Sequence, residues 1–277
     1  MRSAGAGTYT HSRAWSGPVI GALIVQRICS EYDRGVSLYK RAIWGVAQRA
    51  GKTYLLGAID AEARQALRED LAMEAILASS LPSDGTYVDV GTNRGQVLRD
   101  AVRIAPHGHH VAFEPIPILA AGVTREFPSV DCRAIALGAR KEMTKFCYFT
   151  RLDGWSGLRR YPTVSDAQGR PIFIDVTVST LDTELAELTP TLIKIDVEGA
   201  ELAVLEGSRS LLARARPLVI FEHVLEAAAM YDGAPEAPWD LLTEFGYRIF
   251  SLTGDGPVTR ADFVRPNGVV NWMATPT

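Results

Sequence analysis

The stretch "YVDVGTNRGQ" at residues 87–96 decides the fold, because an apolar strand ends there in a glycine turn that leads into a helical pattern. Gly91 and Gly95 frame the turn as GxxxG, which lacks the middle glycine of the dinucleotide-binding GxGxxG fingerprint. Asp89 is unusual, since it places a carboxylate in the part of the strand expected to be buried. We therefore predict a ligand-binding turn and take Asp89 as a clue to the charge of the ligand.

Short apolar strands alternate with helical stretches from residue 86 onward. The candidate strands are "TYVDVG", "HVAFEP", "DCRAIALG", "TLIKIDVEG" and "RPLVIFEH", and helices fit at about 95–105, 117–127 and 200–214. After residue 238 the pattern predicts one more helix and a hairpin-like pair of strands, "YRIFSLTG" and "VVNWMATP". This order predicts an α/β fold, a doubly wound, mainly parallel seven-stranded sheet that binds ligands at the carboxyl ends of its strands.

Two further regions flank or interrupt this pattern. Residues 1–80 are predicted to form an arm and a helical extension, with a long amphipathic helix at about 61–80, which suits a substrate cover or a dimer surface. Residues 81–277 form the main domain, and the alternation breaks at 138–190, where "FCYFT" and "FIDVTVSTLDTEL" predict strands around a turn-rich stretch. An insertion beside a ligand edge is a usual place for a substrate lid.

The charge composition limits which classes of partner the protein is expected to bind. The 277 residues carry a formal net charge of -3 with a pI near 6.0, so no overall field attracts nucleic acid or an anionic membrane. Residues 1–60 carry eight Lys or Arg against three Asp or Glu, which we interpret as a solvated helix surface, with a basic face for an acidic partner as the alternative. We expect a small-molecule partner, no nucleic acid and no membrane, and leave homo-oligomerisation open.

The cysteines and one apolar run bear on the compartment. Cys29, Cys132 and Cys147 fall at unrelated spacings, without a disulfide framework or a CxxC metal pair, which favours a reducing environment. The run "GPVIGALIV" at 17–25 is too short to span a bilayer and lacks a cleavage site after it. We expect a cytoplasmic protein.

The acidic residues discriminate between cofactors. A dinucleotide places its pyrophosphate over the helix amino terminus, where Asp89 would repel it. S-adenosylmethionine has no phosphate and carries a sulfonium and an ammonium, so Asp89 can pair with the ammonium. Glu114 in "FEP", about 23 residues after Gly91, can accept hydrogen bonds from the ribose hydroxyls. The pair favours S-adenosylmethionine over NAD.

Further cofactor contacts are predicted in the turn and at the next two strand ends. They are Thr92, Asn93 and Gln96 in the turn with its two glycines, Pro115 and Ile116 after Glu114, and Ile135, Ala136 and Leu137 as an apolar wall for the adenine.

A second acidic edge is predicted at "LIKIDVEGAELAVLEG", where Lys194, Asp196 and Glu198 share one face of a strand. The neighbouring strand ends in "FEH" with Glu222 and His223. His223 is our first choice of general base because imidazole titrates near neutrality, and Asp196, also a cofactor contact, is the second. The three acids suit a divalent metal, which we do not favour. Structural alternatives are a helix-capping Glu198, a Lys194 and Asp196 pair, and a core histidine.

The insertion supplies candidate substrate contacts. "GWSGLRRYP" offers Trp155, Ser156 and Arg159, which could stack on or grip an acceptor beside Glu198. The same residues suit an exposed loop equally well.

The blocks "VDVGTNRGQ", "FEP", "ALG", "STLDTEL", "LIKIDVEGAELAVLEGSRSLL" and "RPLVIFEH" together resemble the FkbM-type S-adenosylmethionine-dependent methyltransferases over about residues 86–252. The resemblance implies the class I methyltransferase fold and O-methylation of a hydroxyl on a sugar, a polyketide or another secondary metabolite. It also implies that the glycine-turn and "FEP" residues are cofactor positions and that the second acidic edge faces the acceptor. The final strand departs from the more aromatic endings of the family.

Three other functions stay open at this point. An NAD-dependent oxidoreductase would share the fold type, and an RNA ribose methyltransferase would share the chemistry. A non-catalytic binding module would keep the fold without turnover.

Overall fold

The computed structural model describes residues 61–160, 170–266 and 268–277. The predictions for residues 1–60, among them the arm, Cys29, the apolar run at 17–25 and the basic excess, lie outside the described residues.

The main sheet has seven strands and confirms the predicted architecture. Its strands are β1 (Tyr87–Val90), β2 (Val111–Phe113), β3 (Asp131–Arg133), β7 (Leu192–Ile195), β8 (Leu218–Glu222), β9 (Tyr247–Ser251) and β10 (Asn271–Pro276). Their order is β3-β2-β1-β7-β8-β10-β9. All pairs are parallel except β10, which runs antiparallel to both β8 and β9 and forms the predicted final pair.

Three strands interrupt the main sheet in sequence and form a second one. They are β4 (Ala136–Leu137), β5 (Glu142–Tyr148) and β6 (Ile172–Ser179), in the order β4-β6-β5. We call them the small sheet. Phe146, Val176 and Val178 of the small sheet pack against Ile116 and Leu119, so the insertion lies against the segment that follows β2.

Nine α-helices and one short 3₁₀ helix, Asp153–Trp155, are assigned in the described residues; the α-helices follow. They are α1 (Ala61–Ser80), α2 (Gln96–Ile104), α3 (Pro117–Glu126), α4 (Leu181–Glu184), α5 (Glu201–Glu206), α6 (Arg209–Ala215), α7 (Leu225–Ala228), α8 (Ala237–Glu244) and α9 (Arg260–Phe263). None of the helices in this part of the chain is long and apolar enough to cross a bilayer.

The sequence predictions for secondary structure were wrong in three places. "DCRAIALG" is not one strand, because a tight turn, in which the Ile135 amide donates to the Arg133 carbonyl at 2.9 Å, separates β3 from β4. "LDTEL" forms α4 rather than strand, since the Thr180 side chain accepts from the Thr183 amide as a helix cap. The single helix predicted at 200–214 is two, α5 and α6.

Alternate residues of the central strands feed two cores. Val88 and Val90 of β1 pack with the cluster that includes Leu205 and Leu211. Tyr87 faces the other side, where Leu71 and Leu77 of α1 share a buried cluster with it. The helix at 61–80 therefore packs directly onto the sheet, and the period-two alternation of β1 sends Asp89 to the same face as Tyr87.

Candidate active site

A cavity lies at the carboxyl ends of β1, β2 and β7, and we call it the strand-tip cavity. Its lining residues are Val90, Gly91, Asn93, Phe113, Glu114, Pro115, Ile116, Ile135, Ala136, Leu137, Phe146, Asp153, Gly154, Ser156, Leu158, Asp196, Val197, Glu198 and Ala200. This set contains most of the predicted cofactor contacts and the whole predicted apolar wall. The place is the one at which parallel α/β sheets bind ligands.

Gly91 holds the β1 tip against the β7 tip. Its φ is +78°, and a Cβ atom at this position would lie 1.8 Å from the Asp196 carbonyl oxygen. The amides of Gly91 and Thr92 both donate to the Phe113 carbonyl, at 3.0 and 3.1 Å. Only glycine fits such a backbone approach, so the first glycine of the turn is needed for the shape of the cavity.

The other predicted turn contacts do not line the strand-tip cavity. Gly95 also has a positive φ, +73°, but a Cβ there would meet Phe127 at 2.7 Å, so its small size serves helix packing. Thr92 is buried and donates its hydroxyl to Asp89, and Gln96 is exposed at the start of α2.

Glu114 is fixed at the β2 tip. It is 4% exposed, and its two oxygens accept from the amides of Asn93 and Ile116, each at 2.9 Å. Burial raises the pKa of Glu114 to about 7, although both amide hydrogen bonds oppose the rise. Each oxygen keeps a further lone pair for a hydroxyl on the cavity side.

Asp89 does not reach the cavity wall, which corrects its expected position. The carboxyl group is 1% exposed and accepts from the Thr92 hydroxyl at 2.9 Å, and its Oδ1 lies 3.9 Å from Lys194 Nζ. Burial raises the pKa of Asp89, while the Lys194 charge and the Thr92 hydrogen bond oppose the rise. Lys194 offsets part of the negative charge in the strand, because β1 and β7 pair it directly with Asp89, and within the described residues Asp89 Oδ1 has no hydrogen-bond partner.

Lys194 joins the two acidic edges. Its Nζ donates to Asp196 Oδ2 at 2.9 Å, and its side chain is 12% exposed. Burial opposes ionisation of Asp196, but the Lys194 charge and hydrogen bonds from Lys194 and Glu222 outweigh it and lower the pKa of Asp196. Asp196 is therefore an ionised carboxylate on the cavity wall at neutral pH. It also forms the structural pair with Lys194 that the sequence offered as an alternative.

Three carboxyl groups come together at the second acidic edge, as predicted. Ligand atoms of Asp196, Glu198 and Glu222 all lie within 4.8 Å of one another. Burial first, and then the neighbouring acids, raise the pKa of Glu198 to about 8 and that of Glu222 to about 10. Glu198 and Glu222 thus hold protons near neutral pH. Metal binding by the three acids stays a prediction.

Glu201 shapes this edge and was not predicted. Its Oε1 accepts from the amides of Val197 and Gly199, at 3.0 and 3.1 Å, and the residue is 1% exposed. These bonds stabilise a turn in which Glu198 has φ 56° and Gly199 has φ 99°. The capping contacts to the turn before α5 thus come from Glu201, and the Glu198 side chain lines the cavity. The signal was present as the second glutamate of "EGAE".

His223 lies behind this edge. Its Nε2 is 2.9 Å from the Pro235 carbonyl oxygen, and its ring stacks on Phe263 with centroids 4.9 Å apart. Burial lowers the pKa of His223, while the bond to Pro235 opposes the fall. The imidazole is therefore neutral at physiological pH, with Nε2 carrying the proton, and it does not line the strand-tip cavity.

The insertion residues divide among three positions. Ser156 lines the strand-tip cavity and accepts from the Phe149 amide at 3.0 Å. Arg159 lines a separate, larger cleft, and Trp155, 44% exposed, lines neither. Asp153, which was missed, lines the strand-tip cavity and accepts from Arg94 Nε at 2.9 Å, which ties the insertion to the glycine turn. An isolated aspartate in a turn gives no sequence signal for this role.

The sheet order with its antiparallel β10, together with a cavity over the tips of β1, β2 and β7, defines the class I methyltransferase fold. The family model described as the methyltransferase FkbM domain matches residues 89–249, which is more than half of the chain. The chain belongs to the FkbM methyltransferase family.

Two curated proteins are similar in sequence. The AMB antimetabolite synthetase AmbE of Pseudomonas aeruginosa is 28% identical over 207 residues, 61% of this chain and 10% of that protein. The methyltransferase sdnD of Sordaria araneosa is 29% identical over 161 residues, 47% of this chain and 62% of that protein. The chain thus spans less than two thirds of the length of either relative.

Solved structures of methyltransferases are also similar. The FkbM methyltransferase from Methylobacillus flagellatus KT has a TM-score of 0.43 at 16% identity, with 85% of this chain and 61% of that chain covered. The Bacillus cereus O-methyltransferase, solved in complex with SAH, has a TM-score of 0.41 at 11% identity, with 94% and 100% covered.

Proposed function

We propose that this protein transfers a methyl group from S-adenosylmethionine to a hydroxyl of a small molecule, a sugar or a secondary-metabolite intermediate. The observation that carries the proposal is the charge of the strand-tip cavity. Among the described residues, four carboxyl-bearing side chains and no basic side chain line it; the four are Glu114, Asp153, Asp196 and Glu198. Such a wall favours a cationic cofactor and disfavours a pyrophosphate.

The residues fit this cofactor. The free lone pairs of Glu114 suit ribose hydroxyls, and Ile135, Ala136 and Leu137 offer an apolar wall for the adenine. Asp196 offers negative charge to the amino acid end, and Glu198 offers a protonated carboxyl group beside it. S-adenosylmethionine supplies an electrophilic methyl group on a sulfonium, so the protein has to align an acceptor oxygen and accept its proton.

Asp196 is the group that we propose as proton acceptor. It lines the strand-tip cavity, and Lys194 keeps it ionised, whereas Glu198 holds a proton near neutrality. As the methyl group passed from the sulfonium to the acceptor oxygen, breaking the sulfur–carbon bond and leaving S-adenosylhomocysteine, the acceptor hydroxyl would give its proton to the Asp196 carboxylate. Alignment can contribute on the order of 7–11 kcal/mol and a base a further 10²–10⁴-fold. His223 is the second candidate, through Nδ1, because Nε2 is held by Pro235.

Calorimetric titration with S-adenosylmethionine and, in parallel, with NAD tests the cofactor. We expect binding of the former, and at least tenfold weaker binding for Glu114→Ala, which removes the ribose partner. Arg99→Ala is a matched surface control, since Arg99 pairs with Glu126 on the outer helices. Binding of NAD in place of S-adenosylmethionine would support the oxidoreductase alternative, and binding of neither would leave a non-catalytic module.

A mass-spectrometric screen of hydroxylated metabolites for a gain of about 14 Da tests the transfer itself. With an accepted substrate, Asp196→Asn should lower turnover more than His223→Ala, and neither should abolish binding of S-adenosylhomocysteine. The reverse order of effects would return the role of base to His223.

A further inference from the structure

A large cleft of about 950 Å³ lies beside the strand-tip cavity. Its walls come from α5, from the segment 225–235, and from the small sheet with the strand connection at 138–140. Among the predicted site residues, Arg159 and His223 line it. The proposed transfer to a hydroxyl uses the strand-tip cavity and assigns no ligand to this space, where His223 is the second candidate for the base.

Most of the interior of the large cleft is apolar, apart from the rings of His223 and Tyr231, and its rim is charged. Buried or partly buried apolar side chains form the interior, among them Leu158, Val178, Leu202, Ala203, Leu225 and Val264. Of the ionisable lining residues, Arg140, Glu142, Arg159, Glu206 and Asp232 are exposed, whereas His223 is buried and Tyr231 is partly buried. Arg140 and Glu142 pair with each other at 3.0 Å, so they do not direct charge into the cleft.

The large cleft and the strand-tip cavity meet. Leu158 and Ala200 line both spaces. At the same boundary, a Cβ atom on Gly157 would lie 3.4 Å from Cβ of Glu198 and 3.6 Å from the Tyr231 hydroxyl. A group at the Ala200 end of the cleft therefore lies next to Glu198 and the proposed methyl donor.

From this geometry we infer that the large cleft holds the body of the methyl acceptor, and that this acceptor is an amphipathic molecule with an apolar skeleton larger than a single sugar. The inference rests on the proposed methyl transfer and deepens it. A free sugar would bury several hydroxyls against an interior with few hydrogen-bond partners, which is costly. An apolar skeleton gains from the same interior, and its reacting hydroxyl is at the Ala200 end.

Two glucosides with the same sugar test the inference. Octyl β-D-glucopyranoside, below its micelle concentration, and methyl β-D-glucopyranoside are titrated into the protein with S-adenosylhomocysteine present, and binding is followed by ligand-observed NMR. We expect the octyl compound to bind at least tenfold more tightly. Equal affinity for the two glucosides, or binding of neither, would overturn the inference that the acceptor has an apolar skeleton. The methyltransferase proposal would remain intact.

Substitutions in the large cleft test whether octyl glucoside binds there. Ala229→Trp places a large ring at an exposed position of the cleft wall, and Ala203→Leu fills the interior with less risk to folding. Each should weaken octyl glucoside binding at least tenfold without changing S-adenosylhomocysteine binding. Ala121→Trp, exposed on α3 and lining neither space, is the matched control for non-specific detergent binding.

Other results would refute either the cleft as the binding site or the proposed function. Undiminished octyl glucoside binding in both cleft variants, or equal loss in the Ala121→Trp control, would show that the cleft is not the site. Absence of any binding of S-adenosylmethionine or S-adenosylhomocysteine to the wild-type protein would instead refute the proposed function, and the acceptor inference with it.

Discussion

The two acidic edges of the sheet look alike in the sequence and differ in how their charge is satisfied. At the first edge, Asp89 and Glu114 receive hydrogen bonds from a hydroxyl and two backbone amides. At the second edge, Asp196, Glu198 and Glu222 crowd within 4.8 Å with Lys194 as their cation. The first edge is a fixed hydrogen-bonded frame. The second edge places two protonated carboxyl groups, Glu198 and Glu222, beside the ionised Asp196.

The contact between the edges should be the most sensitive point. Gly91→Ala would push a Cβ into the Asp196 carbonyl, so we expect a loss of at least about 3 kcal/mol in the free energy of unfolding and of cofactor binding. Gly122→Ala in α3 is the control, since a Cβ there meets nothing within 4 Å and should stabilise by about 0.5–1 kcal/mol. Denaturant unfolding measures both, and equal stability of the two variants would contradict the close approach.

Lys194 serves both edges, so its removal should have the next largest effect. Lys194→Met leaves the buried Asp89 and its neighbour Asp196 without their cation, and should cost on the order of 3 kcal/mol at pH 7. The loss should shrink toward pH 5 as the carboxyl groups take up protons. Lys145→Met, which breaks an exposed pair with Asp175, should cost less than about 1 kcal/mol. A Lys194→Met variant as stable as this control would mean that the second edge needs no cation.

A pH series separates the second edge from the first. Folded Glu222, with its pKa raised to about 10, keeps a proton that the unfolded chain releases above about pH 4.3. Its contribution to stability is therefore complete below that pH and is lost as pH rises toward 10, by up to about 1.4 kcal/mol per pH unit. Between pH 6 and 9, Glu222→Gln should show a shallower fall in unfolding free energy than wild type. The Glu226→Gln variant, at an exposed position, should keep the wild-type slope. Identical slopes in the wild type and both variants would contradict a proton on folded Glu222.

The smallest effect is expected from metal removal. Lys194 and the protons on Glu198 and Glu222 already offset the charge of the three acids. We therefore expect EDTA to change S-adenosylhomocysteine affinity and methyl transfer less than twofold. Calorimetric titration with MnCl₂ provides the opposite check, because tight manganese binding that Glu198→Gln abolishes would make the second edge a metal centre.

The residue periodicity of the strands and the residue types of the turns explain which parts of the site could be predicted from the sequence. The glycine turn, the paired strand ends "FEP" and "FEH", and the alternation of Lys194, Asp196 and Glu198 are local patterns, and each placed its residues at the correct strand tip. Asp89 could not be placed, because its partner Lys194 lies over a hundred residues away and pairs with it only through the β1 and β7 register. The same limit applies to His223, whose ring contacts Pro235 and Phe263 from later segments.

The insertion shows the other limit. Its strands were predicted, but its connection to the site depends on Asp153 meeting Arg94 and on Phe146 packing beside Ile116. Both are contacts between distant segments with no shared local pattern.

The small sheet is a structural wall as well as an insertion. Because Phe146, Ser156 and Leu158 line the strand-tip cavity from within the insertion, excising residues 138–190 would open that cavity to water. With the inferred place of the acceptor in the large cleft, engineering of a new acceptor range should change the side chains that face this cleft and keep every strand of the small sheet in place.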